Sequence, residues 1–169
     1  MRNKVSASAV LAIVLWGSTA LVSVIHAQGD QDIRQSGQTL TDDGLNKMLD
    51  GLGYEPKKLG SGYLIAIKKD SWTYNMQFVL SKDNSRLGMN ANLGNVPSPE
   101  TVTAEQWKGL LIENSNIDPS FFYFDKDQKK LYLHRVLDNR SITPAYIRQQ
   151  VDNFCGNIKD TADKWNFTK

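Results

Sequence analysis

Apolar positions along this chain recur at helical spacing, then at every second residue, then helically, alternately, and helically once more. After Leu40, Thr41 stands as an N-cap with Asp42 and Asp43 in the first turn, where the helix dipole favours acids. Leu45, Met48, Leu49 and Leu52 follow at i, i+3, i+4 and i+7, and Gly51 and Gly53 close this predicted helix. From Tyr54 the period becomes two. Tyr54 to Leu59 reads as a weak strand, at an edge because Pro56 cannot donate to a ladder. Gly60-Ser61-Gly62 turns the chain. Tyr63, Ile65 and Ile67 then alternate with Leu64, Ala66 and Lys68, and Trp72, Tyr74, Met76, Phe78 and Leu80 with Thr73, Asn75, Gln77 and Val79. Past the turn Ser81 to Ser85, Leu87, Met89, Ala91 and Leu93 alternate with Gly88, Asn90, Asn92 and Gly94. Such clean alternation predicts an antiparallel meander with one polar face.

Asn95 to Pro99 breaks the sheet. Thr103-Ala104-Glu105-Gln106 is a capping-box pattern ahead of the apolar stripe Trp107, Leu110 and Leu111. Two aromatic or aliphatic runs, Phe121 to Phe124 and Leu131 to Leu137, flank the polar turn Asp125 to Lys130 as a β-hairpin. Thr143-Pro144, an N-cap with proline at the first helical position, opens a helix whose Ile147, Val151, Phe154, Ile158, Ala162 and Trp165 repeat over about five turns. Each helix has an apolar residue before its cap and another at its fourth position: Leu40 with Leu45, Val102 with Trp107, Ile142 with Ile147. These are hydrophobic staples. The pattern predicts an α+β fold, an antiparallel sheet in the order helix, β-meander, helix, β-hairpin, long C-terminal helix, in a single domain over residues 40–169.

The first residues follow another pattern. Met1-Arg2-Asn3-Lys4 is basic, Val5 to Ile25 is apolar and uncharged, and Ala27 precedes Gln28. This predicts a signal peptide over 1–27. The alternative is an N-terminal anchor, since about 20 apolar residues span a bilayer. Residues 28–39, polar almost throughout, form a flexible leader. The expected location is periplasmic or secreted, from a bacterial source, or inner-membrane anchored if the segment stays.

Charge changes the picture little. The chain has 20 Lys and Arg against 18 Asp and Glu, and removing 1–27 takes away only Arg2 and Lys4, leaving 18 against 18. No clustered basic stripe answers the needs of nucleic-acid binding. Cys155 is the single cysteine, so no intramolecular disulfide can form, and beside Phe154 it reads as a half-buried apolar filler.

Candidate chemistry is sparse. Past the leader His134 is the only histidine, so neither a nucleophile with its base nor a zinc set is present. Asp125 and Asp127 hint at a calcium loop, but the sixth and twelfth positions hold Lys130 and Val136 instead of glycine and glutamate. Asp42 with Asp43, and Asp50 with Glu55, are the remaining paired carboxylates, and the helix dipole accounts for the first pair. Asn139-Arg140-Ser141 and Asn166-Phe167-Thr168 match the glycosylation triplet, by chance in a bacterial protein. The sequence therefore predicts a non-enzyme without cofactor or metal.

The element order, with Phe121-Phe122-Tyr123-Phe124, Leu131-Tyr132-Leu133, the phrase Leu137 to Pro144 and Thr161 to Trp165, resembles the type III secretion chaperone-like fold, including YbjN-like proteins, over about Leu40 to Trp165. That resemblance implies a small, often dimeric, non-enzymatic domain holding another polypeptide against its sheet and helices, with no catalytic motif. Type III secretion chaperones are cytoplasmic and commonly acidic, whereas this chain is expected to carry an export signal and to be neutral once residues 1–27 are removed. The expectation is thus a chaperone-like or scaffold domain of the cell envelope, binding a protein or peptide or forming a homodimer. Its strand surface would use Leu87, Met89 and Leu93, methionine being readily repacked around partners. The alternative is a small-ligand carrier similar to cystatin-like or NTF2-like folds, with a pocket lined by Trp72, Tyr74, Phe78 and Trp107.

Overall fold

The computed structural model describes residues 39–168; the predicted signal peptide or anchor and all of the leader except Thr39 lie outside the described residues. The elements run α1 (Asp42–Gly51), β1 (Lys57–Leu59), β2 (Gly62–Lys69), β3 (Trp72–Leu80), β4 (Arg86–Asn95), α2 (Ala104–Glu113), β5 (Ser120–Asp125), β6 (Lys130–Asp138), α3 (Pro144–Asp160) and α4 (Ala162–Trp165). This is the predicted α+β order.

Caps fix the helix starts. Thr41, Thr103 and Thr143 accept from the backbone N–H groups of Gly44, Gln106 and Tyr146, and the Gln106 side chain accepts from Thr103 N in return. The staple pairs Leu40 with Leu45 and Ile142 with Ile147 are all buried.

One antiparallel sheet has strand order β1-β2-β3-β4-β6-β5. Its first four strands are the meander. α2 then carries the chain past one strand position, so that β5 is laid at the far edge and β6 returns between β5 and β4. The helices lie on one face, where Leu45, Met48, Leu49, Ile147, Val151, Phe154 and Ile158 meet Ile65, Met76, Phe78, Leu87, Met89, Leu131 and Leu133 in a single core. Each such side chain contributes about 1.5–3 kcal/mol on burial.

Four expectations change. Leu111, assigned to the apolar stripe of α2, is 70% exposed, because α2 buries only a narrow line through Leu110. Cys155 is fully buried, not half-buried, since it stands with Val151, Phe154 and Ile158 on the face of α3 that packs into the core. The weak first strand shrinks to Lys57–Leu59, immediately after Pro56, which has no N–H for the ladder. The last helix is not continuous: the buried Thr161 donates its hydroxyl to the carbonyl of Asn157 at 2.6 Å, and the chain restarts as the four-residue α4. A threonine bonding back one turn in this way bends a helix.

Asn139 ties the ends of the fold together. Fully buried, it donates through Nδ2 to the carbonyls of Leu40 (2.9 Å) and Asn84 (2.7 Å), accepts at Oδ1 from Leu40 N (3.2 Å), and donates its own N–H to Ser85 O (3.0 Å). One side chain thereby joins the start of α1, the β3–β4 turn and the link from β6 to α3. With its amide consumed, Asn139 offers nothing to a glycosylating enzyme in the folded chain.

Candidate functional site

Among the described residues no helix lies on the other face of the sheet, and the register shows what stands there. One row crosses all six strands, a residue from each: Lys57, Leu64, Gln77, Asn90, His134 and Phe121. Beside it runs a row with little side-chain volume, Leu59, Gly62, Val79, Gly88 and Val136, over five strands. Gly62 is buried, and Gln77 Nε2 donates to Leu59 O at 3.0 Å across that end, so the row is an open furrow over Val79, Gly88 and Val136, about 10 Å long at ~4.8 Å per strand spacing. Leu59, 49% exposed, stands beyond the closed end. At the other end Ser85, Arg86, Val136, Asp138 and Arg140 line a recess of about 350 Å³.

The glycines have different reasons to be there. A Cβ on Gly62 would come within 2.1 Å of the Phe78 carbonyl oxygen, so the sheet itself requires that glycine. A Cβ on Gly88 would meet only the His134 ring, with Cε1 at 3.2 Å, and then Val79 O at 3.5 Å. Gly88 therefore keeps the furrow open rather than keeping the fold together.

Polar groups border the furrow. His134 Nδ1 lies 2.5 Å from Asn90 Oδ1, so with the amide oxygen as acceptor Nδ1 holds the proton. Burial lowers the pKa of His134, against a smaller raising effect from a backbone hydrogen bond at Met89, and the ring is neutral near pH 7. Across the furrow, Arg140 grips Asp138 through Nε (2.9 and 3.1 Å) and Nη2. These bonds, Arg140 N at 2.9 Å and the nearby Arg86 charge bring the Asp138 carboxyl down to about 2. Among the described residues Lys57, Lys68 and Arg86 form no ion pair. The helix-free face thus has spare positive charge and no spare carboxylate at its recess.

Aromatics gather at the β5–β6 edge. Tyr123 stacks on Tyr132 at 5.1 Å, and Phe121 meets the His134 ring edge-on at 5.1 Å. The outer edge of β5 is closed by Asn114, the cap residue of α2, whose Oδ1 accepts from Phe122 N at 2.6 Å while its Nδ2 donates to Phe122 O at 3.4 Å. This side-chain amide stands where the backbone of an added strand would pair.

The sites expected from sequence fall elsewhere. Leu87 and Met89 are fully buried on the helix side of β4 and present no surface, because the core needs their volume; Leu93 is half-buried beside the irregularity between Asn92 and Gly94. The face of β4 that is open to a partner is that of Gly88, Asn90 and Asn92. Trp72, Tyr74, Phe78 and Trp107 do not surround one space. Trp72 stacks with Tyr74 and meets Trp165, Trp107 packs on Phe124 and Phe167, and Phe78 is sealed in the core. Asp42 is held by Lys58 Nζ at 2.7 Å and Tyr63 OH at 2.7 Å, which lower its pKa, and Asp43 pairs with Lys47 at 2.9 Å. Asp125 closes its turn by accepting from the N–H groups of Asp127 and Gln128. The furrow residues were missed because the polar phase of each strand reads simply as solvent-facing; glycines inside strands, at 62 and 88, were the available signal.

No protein-family model matches this sequence, and no curated protein matches it. Solved structures do match. E. coli YbjN superposes with a TM-score of 0.55 at 15% identity, covering 75% of this chain and 96% of that one. A chain of the ExsC–ExsE complex gives 0.53 at 14% identity, over 71% and 92%. A chain of the HopA1–SchA chaperone–effector complex gives 0.50 at 10% identity, over 69% and 88%. The fold is that of the type III secretion chaperone-like proteins.

Proposed function

We propose that this chain is a non-enzymatic polypeptide-binding domain, of the chaperone or scaffold kind, which acts in the cell envelope and receives an extended segment of another protein on the helix-free face of its sheet. The observation that carries this reading is the furrow of Val79, Gly88 and Val136, a half-buried apolar trough on a face that no described helix covers. Two of the similar folds come from complexes between two proteins, one of them a chaperone with its effector, which supports a protein as the occupant. The backbone of the strands is already paired within the sheet, so side chains rather than a new ladder would do the holding.

The test is site-specific photo-crosslinking in cells, with the full chain bearing the crosslinker at Asn90 on the furrow wall or, as a control, at the exposed Arg148 on α3. A discrete protein adduct from position 90 and none from 148 is expected. Adducts from 148 alone, or from neither, would refute the reading. Fractionation of the same cells reads the envelope assignment, and recovery only with the cytoplasm would overturn it.

A further inference from the structure

The chemistry of the furrow says what kind of segment fits, an inference that rests on the furrow being a polypeptide site. We infer that the occupant is an acidic, extended segment with small or branched apolar side chains at its centre and a carboxylate side chain seated at the Val136 end, beside Arg86.

The length follows from the row. About 10 Å of open furrow seats roughly three extended residues, with the flanking residues of the segment reaching the charged groups beyond. That span lies over Val79, Gly88 and Val136, whose half-buried surfaces offer contact to methyl groups but no room for a large ring without displacing His134. Hydrogen bonds for the segment's backbone come from the wall: Asn90 Nδ2 lies 4.0 Å from the Cβ position over Gly88, and among the described residues it donates to no protein acceptor. The amide therefore faces the furrow with a free donor.

Charge decides the ends. At the recess, the Asp138 carboxylate is taken by Arg140, while Arg86, opposite it in the register, keeps its donors. Guanidinium groups bind carboxylates with two parallel hydrogen bonds, and Arg86, exposed at the rim of the recess, has its donors free to do so. Lys57 continues the positive charge at the opposite end. A basic segment would meet Lys57 and Arg86 and, at the recess, find the Asp138 carboxylate already engaged by Arg140. A nucleic acid would need a longer run of cations than these.

The experiment pans the immobilised full-length chain against a random dodecapeptide library on phage, then measures the best enriched peptide by fluorescence anisotropy. Expected are peptides in which Asp or Glu flanks a run of Val, Ile, Thr or Ala. The best should bind Arg86→Glu about tenfold more weakly or worse and lose binding to Gly88→Val, whose added side chain fills the furrow. Both variants are checked by thermal unfolding, and Val79→Ser serves as a second furrow variant should Gly88→Val fail to fold. Enriched peptides that are basic or uncharged, yet sensitive to Gly88→Val or Val79→Ser, would overturn the acidic partner and leave the furrow as the site. Peptides indifferent to both furrow variants, or no enrichment at all, would overturn the inference together with the function it rests on. Tighter binding of an oligothymidylate than of any peptide would do the same.

Discussion

Replacing Asn139 by alanine removes three side-chain hydrogen bonds at once, to Leu40 O, Asn84 O and Leu40 N, and does so where the residue has no solvent exposure. Each bond contributes about 1 kcal/mol net, and a backbone group left buried without a partner costs about 1–3 kcal/mol. Some of these groups lie near the surface and can recover water, so the loss should be about 3–5 kcal/mol, a large part of the 5–15 kcal/mol that stabilises an ordinary domain. In melting temperature this corresponds to a fall of about 10–15 °C. Urea and thermal unfolding of the full chain measure it. Asn139→Asp sharpens the test: the carboxylate still accepts from Leu40 N but sets an anionic oxygen against two carbonyls, so it should be at least as harmful as alanine above pH 5. A loss below about 1 kcal/mol in either variant would refute the idea that this amide joins α1 and the β3–β4 turn to the link before α3. The recess beside Arg86 depends on the same junction, through the bond from Asn139 N to Ser85 O.

Asn114→Ala should cost about 1–2 kcal/mol and expose the β5 edge, so light scattering should register concentration-dependent association absent from the parent chain. Arg135 is buried on the helix side with Ser120 (2.8 Å) and Gln150 (2.7 Å) as hydrogen-bond partners and no ion pair among the described residues. Gln150→Ala should therefore destabilise by about 1–3 kcal/mol, whereas Arg135→Met should stay within about 1 kcal/mol of the parent or exceed it, as read by urea midpoints. Asp83 accepts from Ser81 Oγ, Ser85 N and Ser85 Oγ, which bring its carboxyl down from 3.8 to about 2. Its folded value is depressed, so its stabilisation is present above pH 3.8 and lost as pH falls through about 2; Asp83→Asn should flatten that part of the stability curve. His134 also has a lowered folded value, and for a cationic acid this means that the unfolded chain takes up the proton first. Stability should decline as pH falls below 6.5, and His134→Gln should remove that slope.

Much of this architecture was legible locally. Helix starts at Thr41, Thr103 and Thr143 follow from caps and staples a few residues apart, and each strand shows its buried phase in its own alternation. Such signals depend on neighbours within one or two turns, so they survive without knowledge of the fold. Even there Leu111 misled, since an apolar residue on a helix is buried only if something lies against it, and Thr161 broke a periodicity that ran on unbroken in the sequence. What the folded chain alone decided is the order of strands and everything that stands across them. Placing β6 between β4 and β5 lines up Val136 with Gly88, Val79 and Gly62, residues from four strands that no spacing in the chain relates. It also buries Leu87 and Met89 and turns Gly88 and Asn90 outward, as the core claims one phase of every strand and leaves the other outside it. Asn139 follows the same logic: its asparagine identity is plain in the chain, but its bond to Leu40 spans 99 positions and exists only once the sheet has closed.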